Sequence, residues 1–447
     1  MDTGDTAWVL TSAALVLLMT PGLAFFYGGM VRSKSVLNMM MMSLGAMAVV
    51  GVLWALYGYS TVFATDLGGG LLGKPFEFFG LDGLLAADQL SGTIPTIVFV
   101  SFQAVFAIIT VALISGAIAD RARFGPWLLF AGLWATIVYF PVAHWVFDFD
   151  AKDADGNVTE AGGWIANKLA AIDFAGGTAV HINAGAAALA LAIVLGKRVG
   201  WPKEPMKPHS LPLVVLGAGL LWFGWFGFNA GSALGANVTA GVTFVNTIVA
   251  TCAALLGWLI VERVRDGKAT TLGAASGIVA GLVAITPACS SVTPLGAIAV
   301  GAIAGVLCAL AVSLKYRFGY DDSLDVVGVH LVGGLVGTLL IGLFASDKAP
   351  AAVNGLFYGG GVDQLWRQAV GAFAVLGYSF VLSLALGYLV KFTVGFRASE
   401  EAEVSSIDEA EHAERAYEYG SLTSARGTGK ASVAAGATAV LEGSNKS

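Results

Sequence analysis

Charge is scarce in this sequence. Only 12% of its 447 residues are Asp, Glu, Lys or Arg and 57% are hydrophobic, where a soluble domain carries about 25% charge and about 45–50% apolar residues. A chain of this length folded in water has a large surface to keep wet, so the deficit excludes a soluble globular enzyme. So much apolar residue also excludes a disordered chain. Cysteine is nearly absent. Cys252, Cys289 and Cys308 stand at no metal-ligand spacing and are too few for a disulfide scaffold. Each lies in or beside an apolar run, where a buried, inert thiol is expected. There is no nucleotide-loop lysine pattern, no GxGxxG after a strand, no HExxH and no serine elbow, so catalysis has no anchor. Hence no enzyme activity and no cofactor or metal is expected. The basic residues are dispersed through short connections, which argues against nucleic acid as a partner. What is present, in quantity, is long apolar runs and 59 glycines, the composition of a polytopic membrane protein.

A helix needs about 20 mostly apolar residues to cross about 30 Å of hydrocarbon. Eleven spans fit, near 7–31, 35–62, 94–119, 124–147, 173–196, 210–232, 238–262, 271–287, 292–314, 325–345 and 366–394. They make a transmembrane domain of residues 1–396, followed by a tail of residues 397–447 whose Gly/Ala/Ser/Thr-rich end, 420–447, is expected to be disordered. Fifteen Lys and Arg fall in one alternate set of connections, including Arg121, Arg123, Lys197 and Arg198, and only five in the other: Lys74, Lys152, Lys168, Lys348 and Arg367. Positive charge stays inside, which puts the N-terminus outside and the C-terminus in the cytoplasm. The start, MDTGDTAWVL, has no basic n-region and the first span has no small-residue cleavage pattern, so no signal peptide is expected.

Two segments match. DFAGGTAVH (173–181) opens span five and DSLDVVGVH (322–330) opens span ten, each with a Val–His pair closing eight residues after an Asp. The spans are five apart, and five is odd, so the second copy would cross in the opposite sense. The expected architecture is an inverted repeat (about 7–196 and 210–345) with an added eleventh helix, a layout that puts a transport path at the repeat interface. His181 and His330 can then approach one middle layer and share a hydrogen bond, leaving their other nitrogens for a polar guest. Core histidines satisfied by backbone carbonyls are the rival explanation. Asp173 is placed to cap span five and, near an outer mouth, would also favour a cation. Asp321, Asp322 and Asp325 are expected to cap span ten. LWFGWFGFNAGSA (221–233) and Phe102 and Phe106, with Gln103 between them, supply rings whose faces attract a cation losing its water, against the plainer alternative of belt and core packing.

At DFAGGTAVHINAGAA (173–187) followed by GKR (196–198), the sequence resembles the ammonium transporter family. The likeness extends over about residues 5–418 through TPGLAFFYGGMVR (20–32), FQAVFAIIT (102–110), GWFGFNAGS (224–232), GVH (328–330) and GLFYGGG (355–361). It is nearer the bacterial branch than the Rhesus glycoproteins. The resemblance implies a homotrimer in the cytoplasmic membrane, with one pore per subunit and eleven helices. His181 and His330 would be its pore histidines, and Phe106 and Phe228 its stacked gate. Trp225 would stand nearby in an outer vestibule, where Ser232 would help hold ammonium, and Asp173 would be the buried acid needed for binding or for the vestibule's shape. The family places a vestibule Trp where this chain has Phe147, in HWVFD (144–148), before an insertion running to about Glu160. The resemblance also implies transport of ammonium or methylammonium, and a PII-type signalling protein docking at the cytoplasmic face, where the acidic tail 395–419 packs. The alternatives are an ammonium sensor signalling through the tail and a passive channel for neutral gas.

Overall fold

The computed structural model describes residues 1–417, and among them the architecture is almost wholly helical. In chain order the main helices are α1 (Thr3–Met30), α2 (Val36–Phe63), α3 (Thr96–Ile118), α4 (Phe124–Phe147), α5 (Gly177–Leu195), α6 (Leu211–Gly231), α7 (Val238–Asp266), α8 (Thr271–Ile285), α9 (Pro294–Phe318), α10 (Val327–Phe344) and α11 (Asp363–Thr393). Two short tail helices follow, α12 (Glu400–Val404) and α13 (Ile407–His412). Ten of the main helices are long and apolar enough to cross a membrane, whereas α8 has 15 residues. At about 1.5 Å per residue α8 reaches only about 22 Å, and it continues as buried turns through Ser291. Strand is confined to three two-stranded hairpins in the connections, the third pairing Ala151–Lys152 with Val158–Glu160. The expected disordered stretch 420–447 lies outside the described residues.

Helices suit an apolar solvent because each backbone N–H and C=O is satisfied within the segment. Side chains close the ends: Asn237, Thr270 and Thr293 accept from Ala240, Gly273 and Gly296 N at the starts of α7, α8 and α9. α1 packs along α6, α7 along α8 and α9, and α5 along α11. The surface left over is apolar. On α7, Val245, Ile248, Leu256 and Ile260 are exposed at helical spacing, a face that water would not tolerate and lipid or another subunit would. Cys252 lies on that face and is exposed, while Cys289 and Cys308 are buried; the expectation of three buried thiols thus fails at Cys252, because α7 buries only the opposite side.

The tail packs. Glu403 pairs with Arg397 at 2.7 Å and accepts from Val199 N, and Asp408 accepts from Leu37 and Asn38 N at the start of α2. Glu411 meets Arg123 at 3.3 Å. The basic connections gather at this tail face. Arg198 forks onto Asp321 at 2.9 and 3.0 Å and reaches Asp120 at 3.1 Å. Asp321, expected to cap span ten, therefore ties the exit of α5 to the entry of α10, since it stands a full turn short of the helix. Asp322 does cap, accepting from Val327 N at 2.7 Å.

Candidate functional site: an aromatic gate over a histidine pair

α5 and α10 both open as π-helical segments, Gly177–Ile182 and Val327–Leu331, and each carries one of the matched histidines. Such wide turns recur at functional sites. Both are held by the preceding Asp in the same register. Thr178 N donates to Asp173 Oδ2 at 2.7 Å, and Val327 N to Asp322 Oδ2 at 2.7 Å, each five residues on. Asp173 also accepts from Gly176, Gly177 and Ala179 N and from the Thr178 hydroxyl. It acts from ahead of the helix, across Gly176 at φ +110°, so the expected N-cap role is carried out from three residues upstream of Gly176.

Four residues beyond each histidine stands a glycine against the other helix. A Cβ on Gly185 would lie 2.5 Å from Leu331 N, and one on Gly334 would lie 3.0 Å from Gly177 O and 3.1 Å from His181 Cβ. Small residues let helices cross this closely. The crossing brings His181 Nδ1 to 3.2 Å from His330 Nδ1, with the rings 5.3 Å apart and 28° from parallel. Both rings are buried, and His181 Nε2 has no protein partner among the described residues. One Nδ1 must donate to the other, which leaves the outer nitrogens for a guest.

A void of about 10 Å³ adjoins the pair, lined by Met19, Leu23, Phe26, Trp225, Phe228 and both histidines among others. That is no more than one water-sized space. Trp225 stacks on His181 at 5.4 Å and donates from Nε1 to Thr286 Oγ1 at 2.8 Å. Above the void the rings of Phe106 and Phe228 stack at 4.2 Å and 22°, brought from α3 and α6. On the far side of this stack, away from the tail, a cavity of about 310 Å³ is lined by Phe102, Gln103, Phe147, Asp148, Ser232, Tyr59 and other rings. Phe147 meets Phe106 edge-on at 6.2 Å and 81°. The Ser232 hydroxyl donates to Phe228 O, so its oxygen is free to accept.

Six of the expected residues thus surround one axis: His181, His330, Phe106, Phe228, Phe147 and Ser232. Trp225, expected in the vestibule, lies instead on the histidine side of the gate, because α6 turns it toward α5 and Thr286. Asp173 lines neither cavity; its oxygens are taken up by backbone N–H groups. Sequence reasoning missed Phe26 and Leu23 of α1 and the Asp148 carboxylate. A signal existed for the first: Phe26 leads FYGG (26–29) as Phe228 leads FNAG (228–231), in helices five apart.

The fold defines a multi-pass membrane protein of channel-like architecture, with the stacked rings and the histidine pair on one axis. The profile of the Ammonium Transporter Family matches residues 7–417, and the chain belongs to that family. It is 67% identical to an ammonium transporter of Mycobacterium tuberculosis, covering 94% of this chain and 91% of that one. It is 46% identical to an ammonium transporter of Bacillus subtilis, covering 94% and 99%. Among solved structures, Saccharomyces cerevisiae Mep2 superposes with a TM-score of 0.79 at 36% identity over 90% of this chain and 88% of that one. A protein described as a sensor Amt protein superposes with a TM-score of 0.82 at 30% identity over 92% and 98%.

Proposed function

We propose that the protein takes up ammonium, and methylammonium as its analogue, across the cytoplasmic membrane, with the tail face in the cytoplasm and the 310 Å³ cavity outside. The observation that carries this reading is the stacked Phe106–Phe228 pair above two mutually bonded histidines in a void the size of one water. A hydrated cation does not fit through such a space. Rings and acceptors in the outer cavity favour a cation shedding water, and the apolar path beyond makes the charged form expensive, so the guest passes as ammonia. His181 Nε2 accepts its N–H bond, and the histidine pair is the route by which the released proton follows. In this reading the histidines, the gate and the vestibule residues Ser232 and Phe147 act on the guest, while Trp225 fixes the His181 ring. Asp173 fixes the turn that presents that ring.

The matched Asp-to-His registers, and the matched turns after α3 and α8 that end in bridges at Ala122 and Val292, support an inverted repeat of five plus five helices with α11 added. Eleven crossings follow if α8 and its buried turns count as one. The exposed apolar face of α7 suits a homotrimer contact or lipid, and the packed acidic tail suits a PII-type partner. Sensing through the tail is the second reading, favoured by the likeness to a sensor Amt protein.

The test is an ammonium pulse on proteoliposomes adsorbed to a solid-supported membrane. Current in the wild type, reduced in His181→Ala and His330→Ala, supports proton passage with ammonia. Ammonia flux without current excludes it. Uptake and discrimination against potassium unchanged in both variants would refute the histidine role altogether.

A further inference from the structure

Among the acids near the outer end of the axis, Asp173, Asp66, Asp150 and Asp148 have their oxygens committed very differently. Asp173 holds the start of α5, as above. Asp66 accepts from Gly69 N at 3.0 Å and Gly70 N at 2.7 Å, and meets His144 Nε2 at 3.1 Å. Asp150 accepts from Gly162 N at 2.8 Å. Asp148 is the one whose carboxylate accepts no hydrogen bond from the described residues, and it alone of the four lines the outer cavity. Its nearest basic atom is His144 Nδ1 at 3.4 Å, but that nitrogen directs its hydrogen to Val62 O at 2.7 Å. The Asp148 backbone, by contrast, is firmly held, its carbonyl accepting from Gly163 N at 2.8 Å and Asn167 Nδ2 at 2.9 Å. The hairpin at 151–160 follows directly, and the side chain is 18% exposed. A positioned, partly buried carboxylate with no hydrogen-bond donor among the described residues, in a cavity walled by rings, has the chemistry to ligate a cation.

We propose that Asp148 is the ionic partner of the cation in the outer cavity, beside the ring of Phe147. The proposal rests on the ammonium reading and names a further binding residue for it. Groups facing Asp148 are Tyr59 from α2, Asp66 from the loop after α2, His144 from α4, and Asp150 and Glu160 from the hairpin. Burial, then Glu160, Asp66 and Asp150, push the Asp148 carboxyl up to about 8. The carboxylate therefore forms as pH rises through about 8, and affinity for a cation rises with it; a bound cation pulls the titration back down.

The experiment uses the full chain, reading methylammonium uptake in cells lacking their own transporters and, in detergent, the rise in melting temperature that methylammonium causes. Asp148→Asn is expected to raise KM about tenfold, between the worth of an exposed and of a buried ion pair, with the maximal rate little changed. Wild-type KM should fall from about pH 6.5 to about pH 9, and the variant's should not. Asp148→Glu should recover part of the affinity. Asp150→Asn removes the same charge outside the cavity; because Asp150 helps to push the Asp148 carboxyl up, this variant should leave KM at about pH 9 in place and lower it, never raise it, nearer neutrality. KM and melting shift unchanged in Asp148→Asn, or changed equally in Asp150→Asn, overturn the proposal. No uptake by the wild type, with an Asp148-dependent melting shift, would refute transport while leaving the binding site standing.

Discussion

Replacing Gly185 with Ala tests whether the histidine pair depends on how closely α5 and α10 cross. The new Cβ would lie 2.5 Å from Leu331 N, 2.6 Å from its Cβ and 2.7 Å from its Cα. Two of these are backbone atoms of the residue next to His330, so no side chain can swing away. Ordinary contact begins near 3.4 Å, and the helices must part by about 0.9 Å at that point. The His181–His330 distance, now 3.2 Å, then approaches 4 Å, where a hydrogen bond is lost. Overpacking of this kind costs roughly 1–3 kcal/mol of stability, and a misplacement near 1 Å at a reacting site lowers rates about 10- to 100-fold. Gly334→Ala is the graded control. Its Cβ would meet Gly177 O and Ile182 Cγ1 at 3.0 Å, a misfit of a few tenths of an ångström, and uptake should fall by less than about threefold. Methylammonium uptake, normalised to the amount of folded protein from size-exclusion chromatography, separates transport from folding. Wild-type uptake in Gly185→Ala, or greater damage from Gly334→Ala, would refute the reasoning.

Truncating Phe228 to Ala removes one ring of the gate. Stability should fall by roughly 3–5 kcal/mol and osmotic water permeability of proteoliposomes should rise in stopped-flow shrinkage; unchanged permeability would count against a gate. Asp173→Ala strips the donors at the head of α5 of their acceptor and should lower the melting temperature markedly, the loss exceeding that of an ordinary cap at about 1 kcal/mol. Asp173→Asn keeps one acceptor oxygen and should reduce the maximal rate with KM little changed, because the side chain lines neither cavity; a KM effect alone would argue for direct contact with the cation. Glu403→Ala leaves a partly exposed Arg397 and the Val199 N–H without their buried acceptor, at a cost of roughly 1–3 kcal/mol. Limited proteolysis within 400–412 should then be faster, and an unchanged cleavage rate would mean that the tail is held by other contacts.

Legibility differed from residue to residue. The helices were readable because lipid imposes one requirement, a long apolar run, and only α8 departs from it, being short and enclosed. The histidine pair was readable because two identical registers from Asp to His recur five spans apart. Trp225 was harder to place. Its position in GWFGF (224–228) suggests a ring beside the Phe106–Phe228 stack, but its azimuth on α6 depends on Thr286, 61 residues further along the chain. Asp148 carries no local mark at all; whether an acid is a cap, an ion-pair partner or a ligand depends on which donors the fold brings to it.

The sequence by itself determined a membrane-embedded helical bundle, since hydropathy is a property of the chain, and through its motifs the family. Only the tertiary structure decided which nitrogen meets which, on which side of the gate each ring stands, and which acid is left without a donor. Those outcomes turn on contacts between helices far apart in sequence, where ångström differences set whether a polar group is satisfied or free.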